Sequence, residues 1–308
     1  MKALVTGGAG FIGSHLVDAL CKRGDEVLVV DDLSNGRAEN VNPNAKLLTE
    51  DIGEGVVSKL IDEEKPEVIF HLAAHIDVRR SVEEPSLDAK ANILGSLNLI
   101  KAAAEAGIKK FVFSSTGGAI YGNATEIPTP ETYPPKPLSP YGIAKLAVEG
   151  YIKLWEGLFG IKYTALRYSN VFGPRQGEVG EAGVTAIFAR KLLSGGNVTI
   201  FGDGEQTRDY VYVSDVVEAN LLAAGSADSG IFNISTGIET SVNTVFDKLL
   251  KLSGKKVKHS YLPLNRGEVL RSALDYSLAR EKLGWEPKVP FEEGIERTFD
   301  YFLAQQRQ

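Results

Sequence analysis

Thr6-Gly7-Gly8-Ala9-Gly10-Phe11-Ile12-Gly13 is the stretch on which the fold turns. It follows a β-branched run, Lys2–Thr6, and opens a helical pattern from Gly10 to Lys22. Glycine permits the tight turn out of a strand, and further glycines let backbone approach a pyrophosphate and let the helix pack closely on the sheet. The free N–H groups and partial positive charge of the helix N-terminus suit phosphate. A glycine triplet alone is a weak signal, because such turns also serve plain chain reversal. Context strengthens it. A second strand, Glu26–Val30, ends at Asp31, close to the offset of about 20 residues at which an acidic side chain meets an adenosine ribose.

Outward from this turn, the first half alternates strands with helices. Glu67–His71 and Lys110–Ser114 read as further strands, and Val56–Glu64, Asp88–Ala106 and Tyr141–Phe159 as helices. Repeated strand-then-helix order predicts a Rossmann-type α/β fold, a doubly wound parallel sheet whose buried strands are nearly continuous apolar runs. The second half has helices at Gly183–Gly195, Val213–Ala224, Val242–Ser253 and Phe291–Gln305 with short strands between, which reads as a smaller mixed α/β substrate lobe. The expected division is 1–172 for the dinucleotide domain and 173–308 for the second lobe, with some later segments packing back on the first.

Composition narrows the function. In 308 residues there are 34 basic and 40 acidic side chains, a net charge of −6 that offers no footprint for nucleic acid or anionic lipid. The longest apolar runs are four residues, against about 20 for a membrane span. Cys21 is the one cysteine, so no intrachain disulfide or cysteine zinc site forms. The first residues run straight into the motif rather than into a signal peptide. A cytoplasmic, soluble enzyme is expected.

Asp31 is followed by Asp32. A carboxylate accepts the ribose hydroxyls and repels a 2′-phosphate, so NAD rather than NADP is expected, with Arg37 the one nearby cation that could argue otherwise. Ser139-Pro140-Tyr141-Gly142-Ile143-Ala144-Lys145 carries the candidate chemistry. Ser139 suits a cap and Pro140 a first turn, which places Tyr141 and Lys145 one turn apart on one face. A free tyrosine titrates near 10; an adjacent ammonium and an oxidised nicotinamide lower that value and make Tyr141 a general base. An ordinary amphipathic helix is the bland alternative. His71 and His75 are four apart, yet they follow a strand and have no third ligand nearby, so no metal is expected; His75 lines the cofactor pocket or packs beside it.

With these motifs, the chain resembles the extended short-chain dehydrogenase/reductase family, and within it the UDP-glucose (UDP-galactose) 4-epimerases. The likeness runs through Thr6–Gly13, Asp31–Gly36, Asp51-Ile52, His71–Ala74, Asn92, Ser114–Thr116, Tyr121-Gly122, Tyr141–Lys145, Arg167–Asn170 and Arg208–Tyr210. It implies cofactor contacts from Gly7, Gly10, Phe11, Ile12, Gly13, Asp31, Asp32, Asn35, Asp51, Ile52, Leu72, Ala73, Ala74, His75, Asn92, Tyr141, Lys145 and Tyr168. It implies a hydroxyl that orients the reacting sugar oxygen, with Thr116 the first candidate and Ser115 the second, because one extra residue before Tyr121 leaves the choice open. It also implies substrate contacts from Thr116, Tyr141, Asn170, Arg208, Arg266, Glu268 and Ser272. Related dehydratases carry an acidic pair just after the hydroxyl and decarboxylases a Glu. Gly117-Gly118 stand here, which points away from elimination and decarboxylation.

The implied reaction is inversion at C4 of a UDP-hexose through a 4-keto sugar. A small Ser272 at the sugar's 2-position would admit N-acetylated forms. UDP-glucuronate epimerisation, another NAD-dependent change to a nucleotide sugar, and a non-catalytic NAD sensor are the rivals. Family members pair through two helices per subunit, so a homodimer is expected through Asp88–Ala106 and Tyr141–Phe159. The stripe Val148, Ile152, Leu154, Trp155 is either that interface or core.

Overall fold

The computed structural model describes residues 1–177, 183–263 and 269–307. Its N-terminal half runs β1 (Lys2–Thr6), α1 (Phe11–Arg23), β2 (Glu26–Val30), β3 (Lys46–Leu48), α2 (Gly55–Glu64), β4 (Val68–His71), α3 (Val78–Glu83), α4 (Pro85–Ala89), α5 (Gly95–Glu105), β5 (Lys110–Thr116), α6 (Gly117–Ile120), α7 (Pro140–Phe159) and β6 (Lys162–Tyr168). Gly230–Ile234 adds a seventh strand, and the sheet order is Gly230–Ile234, β6, β5, β4, β1, β2, β3. Every neighbouring pair is parallel. The chain reverses its direction of travel between β1 and β4, and in open α/β sheets ligands bind in the crevice beyond the strand ends at that point.

Strand alternation assigns the two faces. Ala3, Val5, Val27 and Val29 enter one apolar cluster with α1 and the helix Val213–Gly225. Leu4, Leu28 and Val30 enter the other with α2, α5 and α7. Both faces are therefore buried, which is why these strands read as continuous apolar runs. Trp285 is buried at 1% exposure in the first cluster, its indole N–H donating to the Asp215 carbonyl at 2.8 Å. Segments 216–234 and 279–285 thus share the apolar cluster on this face of the parallel sheet.

A third cluster lies between the helices Val184–Ser194, Val242–Ser253 and Phe291–Gln306 and takes in Phe11 and Phe172 as well. Short strand pairs hold it: Val198–Phe201 with His259–Leu262, and Thr207–Arg208 with Thr240–Ser241.

The helix expected over Asp88–Ala106 is three pieces, α4, a π-turn at Lys90–Leu94, and α5. It starts earlier because Pro85 occupies the first turn, where its missing N–H costs nothing. The π-turn coincides with Asn92, whose amide grips the His75 backbone from both sides: Oδ1 accepts from His75 N and Nδ2 donates to His75 O, each at 2.8 Å. The stripe on α7 divides. Val148 and Ile152 are core at 0% and 2% exposure, whereas Leu154 is 52% exposed. Among the described residues, no helix is long and apolar enough to cross a membrane.

Candidate active site

At the switch point a cavity of ≈ 1240 Å³ runs from the glycine turn to the third apolar cluster. That exceeds the about 300–1,000 Å³ of a single small-molecule pocket. Gly7, Gly10, Phe11, Ile12, Gly13, Leu72 and Ala74 line its first end. Gly7 has φ +71°, and a Cβ there would lie 2.6 Å from Ala73 N. A Cβ on Gly13 would lie 2.0 Å from the Gly7 carbonyl oxygen. Gly10 caps α1 without a side-chain bond, so no side chain competes with an anion for the first N–H groups. The turn is thus a cradle that side chains would fill, and it fits a dinucleotide.

Asp31 is 7% exposed, just beside this cradle, with Ala9 N donating to Oδ2 and Leu33 N to Oδ1, both at 2.9 Å. Burial raises its carboxyl above the ordinary value, and the two N–H donors oppose that. Arg37 is exposed and reaches toward Glu39 at 3.8 Å. Asp32 caps Ser34, and Asp51 accepts from Gly53 N, both on the surface. Ile52 is buried against Gly95. Asn35 and His75 line a separate cavity of ≈ 120 Å³ with Asp88. Asn92 is buried and acts on His75 rather than on the main cavity.

His71 is fully buried between Thr6 Oγ1 at Nδ1 and Ser96 Oγ at Nε2, both 2.8 Å. Ser96 spends its own proton on the Asn92 carbonyl at 2.6 Å, so Nε2 of His71 donates and Nδ1 accepts. Burial drives the imidazole down to about 3, so it is neutral and acts as a strut between β1, β4 and α5.

Tyr141, Lys145, Thr116, Tyr168, Asn170 and Arg208 line the same large cavity. Ser139 caps α7 by accepting from Gly142 N at 3.2 Å, with Pro140 in the first turn. Lys145 is 3% exposed; its ammonium donates to the Ser114 carbonyl at 2.9 Å and lies 5.9 Å from the Tyr141 ring centroid. Burial lowers it to about 8, with Asp88 and Glu149 pulling the other way.

The two hydroxyl candidates separate. Ser115 is 3% exposed and donates to Glu149 Oε1 at 2.6 Å, whereas Thr116 is half-buried and caps α6 weakly, accepting from Ala119 N at 3.3 Å. Both residues line the cavity, and the Ser115 hydroxyl gives its proton to the Glu149 carboxylate. Tyr168 exchanges hydrogen bonds with Asn220, and burial raises its phenol well above 10. Arg208 Nη1 donates to the Thr207 carbonyl at 2.8 Å. Ser272 is half-buried and is not among the described residues that line the cavity. Arg266 and Glu268 fall outside the described residues.

Gly117 and Gly118 follow Thr116. A Cβ on Gly117 would lie 2.2 Å from Leu274 Cδ1, so a side chain there would have to displace that leucine, whereas a Cβ on Gly118 would meet nothing closer than 3.9 Å. Among the described residues, no three His, Cys, Asp or Glu side chains gather as metal ligands. Glu149 went unnoticed in the sequence. Its signal was an acidic residue one turn beyond Lys145 on a helix face that is otherwise apolar.

A glycine cradle at the switch point of a parallel sheet, sharing one cavity with Tyr141 and Lys145, is the arrangement of a dinucleotide-dependent enzyme of the Tyr-x-x-x-Lys type, and the chain belongs to the NAD dependent epimerase/dehydratase family, whose model matches residues 3–235. Among solved structures, the chain is similar to the UDP-glucose 4-epimerase of Thermotoga maritima with UDP-glucose, 52% identical with TM-score 0.97 over 99% of this chain and 100% of that one. It is similar to the Thermus thermophilus UDP-glucose 4-epimerase in complex with NAD, 44% identical with TM-score 0.93 over 98% and 99% of the two chains. It is also similar to the UDP-N-acetylglucosamine 4-epimerase of Methanobrevibacter ruminantium in complex with UDP-N-acetylmuramic acid, 36% identical with TM-score 0.94 over 99% and 98%.

Proposed function

We propose that this chain interconverts UDP-glucose and UDP-galactose by inverting C4 of the hexose, with NAD as its cofactor. The observation that carries this is one cavity joining the glycine cradle to Tyr141, Lys145 and Thr116, with glycines where acidic groups for elimination would stand. Bound at Gly7–Gly13 and Asp31, NAD supplies a hydride acceptor and donor, so the reaction needs no net oxidant. Tyr141 as phenolate takes the proton of the C4 hydroxyl and later returns it. The Lys145 ammonium stabilises that phenolate, and Thr116 orients the oxygen. Arg208 and Asn170 hold the nucleotide end, so the 4-keto sugar turns over without escaping.

Incubation with UDP-galactose, with no NAD added, tests the reading by chromatography. UDP-glucose is the expected product. A folded, NAD-supplied protein that forms none overturns the hexose reading and sends the search to UDP-glucuronate. UDP-N-acetylglucosamine belongs in the same assay, because a neighbour of this fold acts on it.

The exposed apolar stripe of α7, with Leu154 and Leu158 at 52% and 62%, supports a homodimer. A single half-buried free cysteine supports a cytoplasmic setting.

A further inference from the structure

Behind Lys145, one turn on along α7, lies a buried ion pair that the reaction scheme does not use. Glu149 is 2% exposed and Arg167 3%. Arg167, on β6, grips the carboxylate as a fork, Nε to Oε1 at 2.9 Å and Nη2 to Oε2 at 2.6 Å. Its third nitrogen donates to the Tyr121 hydroxyl at 2.8 Å, which donates to Asn233 Oδ1 at 2.9 Å on the seventh strand. Glu149 Oε1 also accepts from Ser115 at 2.6 Å. The carboxylate therefore joins three elements, α7, β5 and β6, and the chain Arg167–Tyr121–Asn233 extends the network to the seventh strand.

Such a pair is poor evidence for stability, since two buried charges cost about as much desolvation as they return, and its attested use is to fix one arrangement among several. What it fixes here is adjacent to the chemistry. Ser115 stands between Ser114, whose carbonyl receives the Lys145 ammonium, and Thr116, at the end of β5; all three line the cavity. Side chains alternate along a strand, so turning Ser115 inward to Glu149 turns its two neighbours to the other face.

We infer that Glu149 is a positioning residue for the proposed epimerisation: clamped by Arg167, it sets the register of α7 against the end of β5, and so places Lys145 and Thr116 for Tyr141. It also supplies one of two carboxylate charges near the ammonium. The groups facing Lys145 are Asp88 from α4, Glu149 and Tyr141 from α7, and His71 from β4, which is neutral.

This inference rests on the proposed function, and two variants test it. Glu149→Gln removes the charge and leaves Arg167 unbalanced; Arg167→Lys keeps the charge and loses the fork. Thermal melts select the folded variants. Carbon-13 titration of the Lys145 side chain, assigned with Lys145→Met, reads the ammonium without turnover, and kcat and KM are measured on UDP-galactose across pH. In Glu149→Gln, Lys145 is expected to titrate at lower pH, with the alkaline limb of kcat moving down alongside it. One such step is tenfold in ammonium at about one pH unit. In Arg167→Lys, kcat falls while KM and the Lys145 titration stay in place. A folded Glu149→Gln with the Lys145 titration of the parent overturns the inference, and so does a folded Arg167→Lys at parental kcat. Absence of turnover in the parent chain overturns the epimerase reading instead, and the titration still decides the role of Glu149.

Discussion

Lys145 is 3% exposed at the wall of the cavity, with its ammonium on the Ser114 carbonyl, and that burial shapes the expected pH behaviour of the site. A base lowered to about 8 keeps its charge at neutral pH and loses it as pH rises through that value. The phenolate of Tyr141 then loses its partner, so kcat is expected to decline above about pH 8, with His71 contributing no limb because it titrates near 3. A flat profile from pH 7 to about 10, where free lysine titrates, would remove Lys145 from the mechanism. Replacing the base itself, Tyr141→Phe, should lower kcat by about 10²–10⁴-fold, the usual range for general acid–base groups, with the fold unchanged by circular dichroism. At the cofactor end, Asp31→Ala removes a carboxylate already oriented by two N–H donors. Hydrogen bonds to charged groups contribute about 1.5–3 kcal/mol each, so purified protein should retain roughly tenfold less NAD or worse. The spacings that set Tyr141 beside Lys145 and Asp31 after the glycine turn are short rules readable in the sequence, whereas Thr116, with Ser115 as its alternative, enters only through the family resemblance. Glu149 was not legible, since its partners lie 18 and 34 residues away on other strands.

Among elements, α1 and α7 follow their local signals closely. Ser139, Pro140 and the αL Gly160 bound α7, and Gly24 ends α1. The π-turn at Lys90–Leu94 did not announce itself, because it answers to a tertiary contact: Asn92 holding the His75 backbone. β3 and the seventh strand were equally silent. Lys46–Leu48 is short and only half-buried, and Gly230–Ile234 becomes a strand by pairing with β6 more than 60 residues earlier. The two kinds of glycine in these elements separate by experiment. Gly160 has φ +74° and open space around its missing Cβ, so Gly160→Ala should cost about 1 kcal/mol of left-handed strain and leave NAD content intact. Gly13 is limited by space, with its Cβ position 2.0 Å from a carbonyl oxygen. Gly13→Ala should cost about 1–3 kcal/mol by overpacking and also empty the cradle of cofactor. Equal NAD retention in the two purified variants would show that the turn does not hold the pyrophosphate.

At the scale of the whole molecule, a monomer leaves one surface unexplained. Ile143, Leu154 and Leu158 are 55%, 52% and 62% exposed and recur along one side of α7, and Leu94, beside α5, is 60% exposed. The buried side of the same helix, Val148 and Ile152, is committed to the core, so the outer side is surplus to folding. Contiguous apolar patches of more than a few hundred Å² mark interfaces in soluble proteins, and a two-fold axis lets the same patch serve both copies. The proposed pair of helices from each subunit would cover these side chains and leave the cavity, on the other side of α7, open to substrate. Sedimentation equilibrium should then give twice the 33.3 kDa chain mass. Leu154→Glu with Leu158→Glu should give single chains, since two carboxylates cannot be buried against each other without large desolvation costs. Because α7 carries Tyr141 and Lys145, loosening its outer face should reach the chemistry too. The monomeric variant is expected to lose kcat more than it raises KM, and a fully active monomer would mean that the helix needs no second copy to hold its catalytic side.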